Sequence, residues 1–119
     1  MAISTIEQLA EAVRQFGRER DWQLYHSPKN LTAALIVEAA ELLEPFQWLT
    51  EEQSHKLPPE KREAVRQEMA DVLIYLISLA NTLEIDLLKA AEDKLAINAR
   101  KYPVETSKGS CLKYNETKT

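Results

Sequence analysis

The sequence predicts an all-α fold, a four-helix bundle that works as an oligomer. Three observations point there. Two glycines in 119 residues are too few for the many tight turns of a β-rich chain. Apolar residues recur at three- and four-residue steps in long blocks, the period of a helix buried on one side. Prolines at 28, 45, 58, 59 and 103 fall between those blocks, where helices must end or bend.

The elements follow in order. Ser4-Thr5-Ile6-Glu7 has the form of a capping box, with Ser4 as N-cap and Glu7 reaching back. Ile6, Leu9, Val13 and Phe16 then form one apolar stripe, and this first helix should fade near Arg20. Residues 21–29 (DWQLYHSPK) read as an aromatic-rich loop, and Asn30 as the cap of a second helix running to about Glu44. Thr50 to Pro59 is a polar connection. A third helix starts there and ends near Leu83, charged at first and almost wholly apolar at its end. Asp86 should cap a fourth helix that Pro103 stops after Tyr102. Residues 1–103 thus read as one helical domain. Residues 104–119, rich in Ser, Thr, Lys and Glu, read as a mobile tail.

Composition narrows the function. With 45% hydrophobic and 29% charged residues the chain is globular, and its length suits a single domain. Neither a Walker A sequence nor G-x-G-x-x-G occurs, so any phosphate must be held by metal and cationic side chains. A net charge of −4 gives no general footprint for nucleic acid. The lone Cys111 allows no internal disulfide, and the first residues lack a secretory pattern. The longest apolar run, Val72 to Ile77, falls well short of the ~20 residues a bilayer requires. A cytoplasmic protein without membrane or nucleic-acid partners is expected.

The chemistry lies in the two most apolar helices. From Leu31 to Leu43 the polar residues are Thr32, Glu38 and Glu41; from Met69 to Ala80 they are Asp71, Tyr75 and Ser78. Each helix carries acids at an i, i+3 spacing, Glu38/Glu41 on one and Glu68/Asp71 on the other, which puts each pair on one face. Such pairs are commonly a solvated face, but these helices have little solvated face to offer. Carboxylates among apolar neighbours either take up protons or gather cations. Four from two packed helices would form an all-oxygen cage, the preference of Mg²⁺ or Mn²⁺. A di-iron bundle needs two Glu-x-x-His pairs. His26 and His55 are the two histidines, and only His55 follows a glutamate at that spacing, in the polar connection.

Two further groups complement the acids. Lys94, Asn98 and Lys101 share a face of the fourth helix and suit either a triphosphate clamp or a solvated stripe. Trp22, His26 and Trp48 fall at helix ends or in loops, where they either fill a core or stack on a base.

Taken together, E-x-x-E, about 26 residues, then E-x-x-D resembles the MazG-like all-α nucleoside triphosphate pyrophosphohydrolases. The segments ERDWQLYHSPKNL (19–31), EAAELLEPFQWLT (38–50), EMADVLIYLISLA (68–80) and KLAINARKYP (94–103) are similar to their dCTP pyrophosphatase branch. The resemblance implies that Glu38, Glu41, Glu68 and Asp71 ligate Mg²⁺ at the catalytic centre. It implies that Trp22, His26, Asn30, Trp48 and Tyr75 shape the base and sugar pocket, with Lys94 and Asn98 on the substrate side. Two positions depart from the family pattern: Val37 precedes Glu38 where many members have a second glutamate, and Val13 stands where some have a histidine.

The reaction expected is NTP + H₂O → NMP + PPi, with Glu38 or Glu41 as general base and dCTP or a related deoxynucleotide as substrate. A broad dNTP or phosphoribosyl-ATP pyrophosphohydrolase, and a non-enzymatic oligomerisation module, are the competing accounts. The second and third helices are apolar nearly all round, more than one such chain can bury. A homodimer or homotetramer is expected on that ground and from the resemblance, with Trp22 or His26 of one subunit approaching the acids of another.

Overall fold

The computed structural model describes residues 2–111. Those residues hold six α-helices and no strand: α1 (Ile6–Glu19), α2 (Pro28–Leu43), α3 (Glu51–Ser54), α4 (Pro59–Leu83), α5 (Leu87–Lys101) and α6 (Val104–Ser107). They divide into two compact units, one up to Ile85 and one from Asp86.

Within the first unit α4 is the central element, packed against α2 and against α1. Its core is small. Leu31 of α2 and Ile77 of α4 are each 1% exposed, and Ala80 completes the buried set among the described residues. Large apolar side chains stay outside: Ile36, Val37 and Leu43 on α2, and Met69, Leu73 and Ile74 on α4. None of the described helices is long and apolar enough to cross a membrane.

The helix starts differ from expectation by small shifts with clear causes. Thr5, not Ser4, caps α1, and its partner is Gln8, not Glu7. The Gln8 side-chain oxygen accepts from Ser4 N–H (2.7 Å), the Ser4 hydroxyl (3.0 Å) and Thr5 N–H (3.2 Å), so one amide collects three donors and sets the register. Ser27 caps α2 in place of Asn30, because Pro28 suits the first helical position, whose N–H needs no partner. Asn30 instead ties the preceding turn to the helix: its N–H donates to Ser27 Oγ (3.1 Å) and its Nδ2 to the Tyr25 carbonyl (3.0 Å). The loop before it contains a single 3₁₀ turn, Trp22–Leu24.

The polar connection is not featureless. Thr50 and Gln53 form a capping box that nucleates α3. α4 ends in a Schellman turn: Glu84 is left-handed (φ 54°) and Ile85 N–H donates to Ala80 O at 2.9 Å. In the second unit, Asp86 caps α5 as expected, its carboxylate accepting from Lys89 N–H at 3.0 Å. The segment expected as a mobile tail begins with α6, a single helical turn after Pro103. Its end, residues 112–119, lies outside the described residues.

Candidate metal centre and substrate pocket

Glu38 and Glu41 sit one turn apart in the second half of α2, and Glu68 in the first half of α4. Packing α2 on α4 brings the three together: each offers a carboxylate oxygen within 4.8 Å of the others. All three are half-buried. One oxygen of Glu38 and one of Glu68 are shut off from solvent without a hydrogen-bond partner. Two orphaned acceptors are unfavourable as they stand, since a buried polar group without a partner costs ~1–3 kcal/mol and more if charged.

The electrostatics record that cost. Burial, a hydrogen bond with Glu41 and the charges of Glu41, Asp71 and Glu68 push the Glu38 carboxyl from 4.5 up to about 7. Glu68 is raised as well, through burial first and then the charge of Glu41. Asp71 is exposed and lies outside the tight group of three, yet its charge contributes to both shifts. A divalent cation would relieve all of this at once. The donors are hard oxygens, the cluster is anionic, and the orphaned atoms would gain a partner. The residues present therefore fit such an ion.

The remaining expected residues fall in several places. Trp22 packs edge-on between Phe16 (ring centroids 5.5 Å) and His26 (5.7 Å), while Arg20 lies over the far ring at 3.6 Å from the Phe16 centroid. Trp48 lies on the turns after α2 and is 87% exposed, so it fills no core within this chain. Tyr75 is half-buried on α4, one turn beyond Asp71. Lys94 and Asn98 lie one turn apart on α5, in the second unit.

A feature that sequence reasoning missed lies at the C-terminal half of α4. A cavity of about 220 Å³ is lined there by α1, the 3₁₀ turn and α4, with Arg14, Arg18, Gln23, His26, Ser78 and Asn81 at its wall. One signal was available: Ser78 interrupts an apolar run seven residues beyond Asp71, two turns along the same face. The arginines gave none: Glu11, Arg14 and Arg18 form an ion-pair ladder along α1, the pattern of an ordinary exposed helix face.

Comparison with known proteins gives a consistent result. A model of the MazG-like family matches residues 34–116. The chain is 42% identical to dCTP pyrophosphatase 1 of Mus musculus over 114 residues, 94% of this chain and 67% of the relative. Identity to dCTP pyrophosphatase 1 of Homo sapiens is 40% over the same shares. Among solved structures, a pyrophosphatase from Archaeoglobus fulgidus superposes with a TM-score of 0.79 at 38% identity, over 87% of this chain and 96% of that one.

Proposed function

The chain belongs to the MazG-like family, and on that premise we propose that it is a Mg²⁺-dependent pyrophosphohydrolase acting on dCTP or a closely related deoxynucleotide. The reaction class is hydrolysis of a nucleotide pyrophosphate bond, NTP + H₂O → NMP + PPi. The observation that carries the metal assignment is the cluster of Glu38, Glu41 and Glu68, with its two orphaned carboxylate oxygens.

In this proposal Glu38, Glu41, Glu68 and Asp71 hold the ion. When bound, Mg²⁺ supplies charge neutralisation and polarisation of the phosphate oxygens. The chain's own residues do the rest. A carboxylate of the Glu38/Glu41 pair takes the proton of the attacking water. Trp22, His26 and Tyr75 border the nucleoside, and Asn30 braces the turn that carries Trp22 and His26. Trp48 offers an open ring face for stacking on a base held by a second copy of the chain, and Lys94 and Asn98 serve the phosphates. Residues up to Pro103 form the catalytic part, a four-helix bundle, and the working unit is a homodimer or homotetramer. The apolar side chains left outside on α2 and α4 support that assembly, since a core of Leu31, Ile77 and Ala80 is small for a chain of this length.

A screen of the four dNTPs and 5-methyl-dCTP for pyrophosphate release, with Mg²⁺ and with a chelator, tests the reading. The expected result is metal-dependent release of diphosphate, fastest from a cytosine nucleotide. Release of orthophosphate, or no turnover of any nucleotide, refutes it. Light scattering run alongside should give a multiple of 13.6 kDa, and full activity of a 13.6 kDa species would overturn the assembly.

A further inference from the structure

The cavity beside α4 has a character that the carboxylate chemistry leaves unexplained. Val13 and Gly17 of α1 give it an apolar side, while Arg14, Gln23, His26 and Ser78 present polar groups. Arg14 is fastened to both flanking helices. Its Nη1 donates to Glu11 on α1, and its Nη2 donates to Asn81 Oδ1 on α4 at 3.0 Å. Asn81 is held in turn, its Nδ2 donating to the Ala10 carbonyl at 3.1 Å, which keeps its oxygen turned toward Arg14. Two of the five guanidinium N–H groups are thereby spent and three are left for a ligand. A guanidinium fixed in this way presents neighbouring donors in one plane, a fork that suits two adjacent acceptors.

α4 connects the cavity to the acids. Ser78 and Thr82 follow Asp71 by seven and eleven residues, within roughly 20° of it around the helix and about 10 and 16 Å further along. A nucleotide with its phosphates at the carboxylates and lying along this face has its base at the cavity. At about 220 Å³ the cavity is below the ~300–1,000 Å³ of sites that enclose a drug-sized ligand, which suits one small ring system. Among pyrimidines, cytosine has two adjacent acceptors on its pairing edge, O2 and N3; uracil and thymine carry a hydrogen on N3. Guanine has an adjacent pair in O6 and N7, but its fused rings are larger.

We infer that Arg14, held by Asn81, reads the base: it grips O2 and N3 of cytosine and sets the preference for cytosine over thymine and uracil nucleotides. The inference rests on the proposed reaction and names a specificity residue for it.

The test is kcat/KM of the wild type, Arg14→Lys and Arg14→Gln on dCTP, dTTP, dUTP and dGTP, with melting temperatures measured alongside. Both variants should lose roughly 10–100-fold on dCTP, the effect of one good bidentate contact, chiefly through KM. Their values on dTTP and dUTP should stay within about twofold, so the selectivity collapses. An equal fall on all nucleotides, as from lost packing or lost phosphate attraction, overturns the assignment, as does an unchanged selectivity or a preference for dGTP. A second measurement needs no variant: the wild type should turn over 5-methyl-dCTP but discriminate strongly against 3-methyl-dCTP, whose N3 is blocked. Equal turnover of the two overturns it. A wild type inactive on every nucleotide refutes the reaction itself, whereas an active but unselective wild type refutes this inference alone.

Discussion

Replacing Glu38 with glutamine should make the metal-free protein more stable, by an amount that depends on pH in a defined direction. In the folded chain the Glu38 carboxyl is raised from 4.5 to about 7, chiefly by burial and by Glu41. A carboxyl with a raised folded pKa holds its proton more tightly folded than unfolded. Its contribution to stability is therefore fully present below 4.5 and is lost as pH rises through about 7. Glutamine stays neutral throughout. At ~1.4 kcal/mol per unit the shift sets an upper bound of about 3 kcal/mol at pH 8, and solvent reaching a half-exposed cluster reduces this to roughly 1–2 kcal/mol. For a chain of this size that is a rise in melting temperature of roughly 4–8 °C. The assay is thermal denaturation of both proteins in chelator, at fixed protein concentration, from pH 5 to pH 8. The gap should open with rising pH, and saturating Mg²⁺ should close or reverse it, because the variant has lost a ligand. A Glu38→Gln protein that melts below the wild type in chelator at pH 8, or a gap that ignores pH, would refute the electrostatic account of the cluster.

Two other perturbations probe separate parts of the molecule. Trp48→Ala should raise KM for the nucleotide by roughly 5- to 150-fold, the ~1–3 kcal/mol of base stacking, with little change in melting temperature for a residue this exposed. An unchanged KM with a lowered melting temperature would instead make Trp48 a packing residue of the assembly. Glu84→Gly should stabilise the protein by about 0.5–1 kcal/mol, since glycine adopts the left-handed Schellman position without a side-chain penalty and offsets its greater freedom when unfolded. Chemical denaturation checks this, and a lower midpoint for the glycine variant would contradict it.

The helices that carry the acids could be read from the sequence because their signals are local. Pro28, Pro45, Pro59 and Pro103 bound α2, α4 and α5 through a missing N–H and a fixed φ, and Asp86 caps α5 with its own carboxylate. The acids of α2 and α4 stood out because their neighbours are apolar. Legibility fell where alternatives are chemically equal. Ser4 and Thr5 both make good N-caps, and it took the three donors gathered by Gln8 to decide. The cavity wall was hidden for another reason. Arg14 and Asn81 are 67 residues apart, and no local pattern announces a bond whose partners meet only when α1 packs on α4.

The two tryptophans differ sharply in setting, which makes the protein its own spectroscopic instrument. Trp22 is packed edge-on between Phe16 and His26, so its emission should track the integrity of the α1 end of the fold. Trp48, open to solvent, should emit further to the red and be reached by a collisional quencher such as iodide. A partner that settles on its ring shields it from iodide, whereas a nucleotide bordered by Trp22 should alter both emissions. The pair of signals then separates assembly from substrate binding, with no label added.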